Sequence, residues 1–585
     1  MPTLITLPPP ADAMLIALAF LLPLVLAVGA LLACGGRIIR FAPWTVLPAL
    51  LLSVAEPVSV RWENVLLGVA FATDGYSVNW LFITAILWLC SAWYGSYYLA
   101  HDAARARYTF FFLGAMSGNI GLLLARDPAG FFTFFALMSF MSYGLVVHDG
   151  AAASRRAGRV YLAMAIIGEV LQFAALSVLF FPTIGQNLPL VFQSLDSLPP
   201  PNGWVVGCLL AGFGIKAGLL GLHVWLPMAH PVAPTPASAV LSGSMIKAGL
   251  IGWITFLPLG RAAMPEAGLV VVALGLSGAV IAALMGALQT NAKAVLAYSS
   301  VSQMGLMTTG IGVALGVPHA WPVMKWVVLV YAAHHAVAKC LLFLSVGLKT
   351  SRPLTGLESS VYWGGTIVAA LALIGAPLTS GAVAKSLLKE AVAGSGLVHG
   401  DAIVFVLTLA AIGTSAMMVR YLMLVRKLRY DAHHGVSRAI WLPWMLLLVM
   451  VLGFTFYITG RWWPEGLIPP AKMSLWKSMW PLCAGLGLYA LVSLIWQRGK
   501  FPSVAIPPGD VVHVLARGME RIIKTGHRIL SGVSTEKLFD LQRIQDFFMR
   551  RARQVTRVEE ELARWTPGAI VFVLIIVVTL WLALG

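Results

Sequence analysis

Four lysines lie inside long apolar stretches of this 585-residue sequence. Lys216 sits in Gly-Phe-Gly-Ile-Lys-Ala-Gly, Lys247 in Gly-Ser-Met-Ile-Lys-Ala-Gly, Lys339 in His-His-Ala-Val-Ala-Lys-Cys and Lys385 in Ser-Gly-Ala-Val-Ala-Lys-Ser. An ammonium group within hydrocarbon costs several kcal/mol by most measures, so ionisable residues there are functional candidates. Lysine is the cation suited to a proton path, because an amine withdrawn from water can release its proton near neutral pH while a guanidinium stays charged. The alternative is a fixed charge paired with a carbonyl or carboxylate, a role that four lysines on separate segments make less economical. Tyr331, His335 and Lys339 fall at i, i+4 and i+8, so one helix face carries three groups able to donate, accept or relay protons. His334 and His335 are adjacent and point apart, so a haem held by that pair is not expected. Glu169 stands in the middle of another apolar run, Ile-Ile-Gly-Glu-Val-Leu-Gln.

The elements that must position these residues are membrane helices. The chain is 59% hydrophobic and 11% charged, whereas a soluble domain carries about 25% charged residues. Continuous runs such as residues 13–33 exclude the ~10-residue alternating segments of a transmembrane β-barrel. The expected class is therefore an all-α polytopic membrane protein of about sixteen spans, each long enough for a ~30 Å hydrocarbon core. They fall near 13–33, 41–55, 77–99, 108–125, 128–147, 158–180, 203–228, 237–257, 266–287, 299–316, 323–348, 362–388, 401–425, 440–458, 476–496 and 568–584.

The formal net charge of +17 reflects topology and implies no nucleic acid. With the N-terminus outside, the basic loops at Arg37, Arg105, Arg155, Lys293, Lys349, Arg426 and Arg498 all face the cytoplasm, and both termini are external. Five scattered cysteines without a CxxC give no sign of an iron-sulfur cluster, c-type haem or disulfide framework. The first apolar run lacks a basic leader and cleavage site and is expected to be retained.

Residues 508–564 are polar and helically periodic, with Leu538, Leu541, Ile544, Phe548, Val555 and Leu562 opposed to Arg543, Arg550, Arg551, Arg553 and Arg557. A long amphipathic arm along the cytoplasmic surface, touching lipid and neighbouring subunits, is expected there, followed by a last span at 568–584. Pro227 follows Lys216 and Pro377 precedes Lys385, so both helices are predicted to break near their charge. Broken helices in matching positions of two halves are a pointer to a transport path.

Several motifs resemble the antiporter-like subunits of respiratory complex I, of Mrp-type cation/proton antiporters and of group 4 membrane-bound hydrogenases. They are His223-Val-Trp-Leu-Pro-Met-Ala-His230, Ala233-Pro-Thr-Pro-Ala-Ser-Ala239, the run from Leu288 to Gln303, and His335-Ala-Val-Ala-Lys-Cys-Leu-Leu-Phe-Leu344. The resemblance covers roughly residues 70–425. It implies two inverted five-helix repeats, 108–257 and 266–425, between N-terminal helices at 1–107 and C-terminal helices at 440–496. By motif, Lys216 matches the first channel lysine, Lys247 the connecting lysine, His335 and Lys339 the central relay, and Lys385 the terminal lysine, with His223 and Tyr331 beside them. The long polar segment and last span resemble the lateral arm of the largest such subunit.

The sequence departs from that pattern twice. Ala136 stands where a glutamate normally precedes the Ser-Tyr pair, here Ser142-Tyr143, and Asn291 replaces an aspartate. Glu169 on the next span is the expected substitute carboxylate. The function implied is a proton-translocating subunit of an energy-converting membrane complex in a bacterial-type cytoplasmic membrane. Other membrane subunits are its partners, sodium or potassium are further candidate ions, and no cofactor or catalytic site of its own is expected. A proton-coupled partner of an inorganic-carbon uptake system and a structural subunit with a degenerate channel are the alternatives. No nucleophile-base pair, metal-ligand cluster or phosphate loop points to an enzyme.

Overall fold

The computed structural model describes residues 9–31, 35–62, 68–180, 200–430, 436–461, 474–497 and 509. The expected arm at 508–564 and last span at 568–584 lie outside the described residues apart from Gly509. Apart from Trp62 at the end of β1, everything below concerns the unit to which the described residues within 1–61 and 69–508 belong.

Among the described residues, ten helices are long and apolar enough to cross a membrane. The chain enters through α1 (Pro9–Gly29) and a short element comprising a 3-10 turn, Ala42–Val46, and α2 (Leu47–Leu52). This is shorter than the span expected over 41–55. A two-stranded sheet follows, β1 (Ser59–Trp62) with β2 (Val69–Ala72), and then α3 (Ser77–Tyr98). Asp127 joins the sheet to the helices, accepting from Ala70 N at 2.9 Å while capping the next element through Gly130 N at 2.7 Å.

Five successive elements then form one series: α4 (Arg105–Leu124), α5 (Pro128–Val146), α6 (Ala152–Phe180), the interrupted pair α7 (Gly203–Ala217) and α8 (Trp225–Val232), and a rod of α9 (Thr235–Val240), a π turn (Leu241–Met245) and α10 (Lys247–Phe256). A second series repeats the order: α11 (Pro265–Ala287), α12 (Ala292–Gly316), α13 (Trp321–Ser351), the interrupted pair α14 (Gly356–Ile374) and α15 (Ser380–Ala393), and α16 (Gly400–Lys427). The helices α17 (Trp441–Arg461) and α18 (Leu475–Gln497) follow.

Both interruptions are made by glycine, which corrects the expectation that proline breaks the helices. Gly218 and Gly375 adopt left-handed φ values of 74° and 87°. At the first, Leu219 N donates to Gly214 O at 2.8 Å; at the second, Ala376 N donates to Leu371 O at 3.0 Å. These are the six-to-one bonds of a Schellman cap, for which a residue without Cβ is favoured. Pro227 lies in the first turn of α8, where its missing N–H costs nothing, and Pro377 lies in the linker beyond the second cap. Asn291 has a structural role as well, capping α12 through Lys293 N and Ala294 N, a task at which asparagine equals aspartate.

Candidate functional site

The first break places Lys216 in the last turn of α7, where the free carbonyls of the helix end favour a cation. Trp225 Nε1 occupies one of those carbonyls, donating to Ile215 O at 2.7 Å. Lys216 Nζ donates to Ser139 Oγ on α5 at 3.1 Å and to Tyr161 OH on α6 at 3.0 Å. The rings of Phe135, Tyr161 and Trp225 surround it with centroids 6.0, 5.3 and 5.8 Å away, within cation–π reach. Glu169, two turns beyond Tyr161 on α6, is buried and interacts electrostatically with Lys216. Its Oε1 has no hydrogen-bond partner. Both groups hydrogen-bond to Ser139, and the two charges interact across it without a direct ion pair.

The centre is built on the π turn before α10. Widening the helix by one residue frees the Ser242 carbonyl from its usual partner, and Lys247 Nζ donates to it at 2.8 Å. Ser242 Oγ and Ser300 Oγ are 2.6 Å apart, Ser300 Oγ donates to Leu296 O at 3.0 Å, and Lys339 Nζ donates to the same carbonyl at 2.6 Å. Lys247 and Lys339 are both buried, each held by a backbone carbonyl on either side of the Ser242–Ser300 hydroxyl pair. His335 lies fully buried within the field of both lysines, its two ring nitrogens without a partner in the protein. Buried polar groups in this state are normally satisfied by ordered water.

The adjacent histidine turns to the second break. His334 Nδ1 is 2.8 Å from Ser380 Oγ, the first residue of α15, and its Nε2 faces Gly381. Lys385 Nζ reaches back from α15 to donate to Leu373 O and Ile374 O at 3.0 and 2.6 Å, the last carbonyls of α14. Tyr331 points elsewhere, donating to Gln303 Oε1 at 2.8 Å, and Gln303 Nε2 continues to Thr414 Oγ1 at 3.2 Å. His223 is buried just past the first break, its Nδ1 accepting from Gly221 N at 3.3 Å, with its ring centroid 6.2 Å from that of Tyr298.

His230, at the end of α8, lies between the centre and Lys293 in the first turn of α12. Its ring stacks on Phe343, with centroids 4.6 Å apart, and both nitrogens lack protein partners. It lies in the fields of Lys339 and Lys293, while Lys293 Nζ donates to Ala233 O at 2.7 Å.

The structure therefore brings Glu169 to Lys216, Lys247 to Lys339 and His335, and Lys385 to the second break. It separates Tyr331 from the His335–Lys339 contacts despite their common helix face. Ser139, Tyr161, Ser242, Ser300, His230 and His334 were not selected from the sequence. The available signal was polar side chains within apolar helices, which lipid-exposed positions rarely tolerate.

Comparison with known proteins agrees with this architecture. Residues 125–413 match the family described as NADH:quinone oxidoreductase/Mrp antiporter, transmembrane. Relatives include hydrogenase-4 component B of Escherichia coli, 29% identical over 46% of this chain and 42% of that protein. NADH-ubiquinone oxidoreductase chain 5 of Neurospora crassa is 27% identical over 62% of this chain and 51% of that protein. A putative antiporter subunit, mnhA2, of Staphylococcus aureus is 24% identical over 71% and 56% respectively. The alignments thus span about half the length of these relatives. The Mrp complex of a Dietzia species shares the fold with a TM-score of 0.69 at 21% identity, covering 88% of this chain and 60% of that one. An archaeal membrane-bound sulfane sulfur reductase does so with a TM-score of 0.63 at 20% identity, covering 90% and 96%. The chain is an integral membrane protein related to the antiporter-like subunits of complex I, Mrp antiporters and membrane-bound hydrogenases.

Proposed function

We propose that this chain moves protons across the membrane as the antiporter-like subunit of a multi-subunit complex. The observation that carries the reading is the buried cluster in which Lys247, Lys339 and His335 gather around the Ser242–Ser300 hydroxyl pair. Both lysines end on backbone carbonyls, Ser242 O and Leu296 O, which hold the ammonium groups but carry no proton themselves, so transfer between the lysines runs through water beside the Ser242–Ser300 hydroxyl pair and the unpartnered nitrogens of His335. Lys216 with Glu169 forms the first channel, and His230 with Lys293 connects the centre to the loop before α12. His335 joins Lys247 to Lys339, and His334 with Ser380 leads to Lys385 at the second channel. Residues 108–257 and 266–425 act as the two inverted repeats, and 508–564 as a lateral arm against a neighbouring subunit. The basic loops orient the chain in a bacterial-type cytoplasmic membrane with both termini outside. No active site of its own is required, because a partner module or an ion gradient supplies the driving force.

The test is proton flux into proteoliposomes holding the intact complex purified through a tag on this chain, driven by an imposed membrane potential. Lys216→Ala and Lys339→Ala are each expected to lower flux at least roughly tenfold, with the complex still assembled, as for loss of an interaction worth about 1.4 kcal/mol. Unchanged flux in both variants overturns the reading.

A further inference from the structure

The cavity beside the second break joins Lys385, the last lysine of the relay, to two lysines that the relay does not use. It encloses about 490 Å3 between the α14–α15 break, α16 and α18. Lys385 reaches it from the break, Lys389 lies one turn further along α15, and Lys477 enters from the first turn of α18. The three ammonium groups act on one another in sequence, Lys389 on Lys385 and Lys477 on Lys389. Ser386 adds a hydroxyl to the wall, while the Thr408 hydroxyl donates to Val404 O at 2.8 Å. Glu390 also lines the cavity and is engaged by a further contact, while no ion pair joins Lys389 or Lys477 to any described carboxylate. A metal cation entering here would meet net repulsion, whereas an anion would neutralise charges that the protein leaves unpaired.

The flank of the cavity indicates the source of that anion. Only 11% of the span in α18 is buried, making it the least covered of the candidate membrane helices. Around Lys477 it presents Leu475, Trp476 and Trp480 outward, exposed by 58%, 68% and 37%. Tryptophan and lysine together at a helix start mark headgroup depth, where the aromatic ring lies at the apolar boundary and the ammonium reaches phosphate. Trp480 also lines the cavity, so the exposed face of α18 and the three lysines border the same space. We propose that this cavity binds the phosphate of an anionic phospholipid, inserted between α15 and α18, with Lys389 and Lys477 as its cationic partners.

The inference concerns binding and stands independently of proton transport, so it is tested by retained lipid. The full chain is placed in nanodiscs of phosphatidylcholine with or without phosphatidylglycerol, and the phospholipid kept after detergent extraction is measured by native mass spectrometry. Phosphatidylglycerol is expected to be retained in preference to phosphatidylcholine. The pair Lys389→Gln and Lys477→Gln should weaken that retention about thirtyfold, or roughly five- to sixfold per lysine. Lys389→Arg with Lys477→Arg should keep it and serves as the control for folding. Equal retention of the two lipids, or retention unaffected by the glutamine pair, overturns the proposal. A second arm titrates inorganic phosphate in phosphatidylcholine nanodiscs. Saturable phosphate binding that is lost in the glutamine pair, without a preference for phosphatidylglycerol, would assign the site to a free oxyanion and overturn the lipid assignment.

Discussion

Lys216 Nζ lies 3.1 Å from Ser139 Oγ, the hydroxyl one turn along α5 from Ala136. The lysine therefore reaches the helix on which its relatives' pattern places a glutamate, and meets a neutral acceptor there. Its negative partner comes from α6, where Glu169 shares the face of Tyr161 at a separation of eight residues. A carboxylate held slightly apart favours the charged lysine when it approaches and allows release when it withdraws.

Glu169→Gln is accordingly expected to slow proton flux through the assembled complex by roughly tenfold, the effect of losing about 1.4 kcal/mol of interaction. Ala136→Glu in that background should recover part of the rate by restoring a carboxylate on α5. Flux measurements on the single and double variants decide it, and a normal rate in the glutamine variant would rule out the compensation.

Tyr161→Phe and Ser139→Ala each remove one of the two hydroxyls that accept from Lys216. Either loss leaves a buried ammonium group short of one acceptor, costing about 1–3 kcal/mol. The pair should be non-additive in a double-mutant cycle of thermal stability, because both act on one group. Strict additivity would show that the hydroxyls do not share Lys216 in the membrane.

Ser380→Ala removes the hydroxyl hydrogen-bonded to His334 Nδ1. If His334 passes protons toward Lys385, this variant and His334→Gln should each reduce flux several-fold and enlarge its solvent isotope effect. A purely structural role would change stability and leave the isotope effect as it was.

A Cβ at Gly381 would fall 1.8 Å from Ala372 O and 2.9 Å from His334 Nε2. Gly381→Ala must therefore push the two half-helices apart, and it should lower the melting temperature and abolish flux. Gly364→Ala on the exposed face of α14 meets nothing within 4 Å and should be neutral or stabilising by about 0.5–1 kcal/mol. Equal melting temperatures for the two variants would contradict the close approach at the break.

Outside the membrane helices, Asp102 in the α3–α4 turn lies 3.0 Å from His148 Nε2, which follows α5. The hydrogen bond with His148 holds the carboxyl below its ordinary range, helped by the Ala104 N–H at 2.7 Å. A carboxyl depressed in the folded state adds stability above its unfolded value of about 3.9 and loses it as pH falls through the lower folded value. Amide exchange around residues 99–104 and 147–150 should therefore rise relative to the helices below about pH 4. Asp102→Asn should remove that pH dependence.

Much of this protein follows from its sequence because membrane burial imposes simple rules. Hydrocarbon demands long apolar helices, so the described helices fall close to the expected spans. It also penalises charge, so Lys216, Lys247, Lys339 and Lys385 could be selected without a fold. What sequence spacing could not provide was the set of neighbours each lysine meets. Tyr331, His335 and Lys339 share a periodicity, yet Tyr331 joins Gln303 while Lys339 joins Leu296, because the two meet α12 at levels two turns apart. His334 acquires its partner Ser380 only when α15 restarts beside α13, and Ser242 meets Ser300 only where the π turn packs on α12. The breaks themselves turn on left-handed glycines, whose φ values are set by how two half-helices must meet around a lysine. Periodicity specifies which face of a helix a residue occupies; the packing of the other helices decides what that face touches.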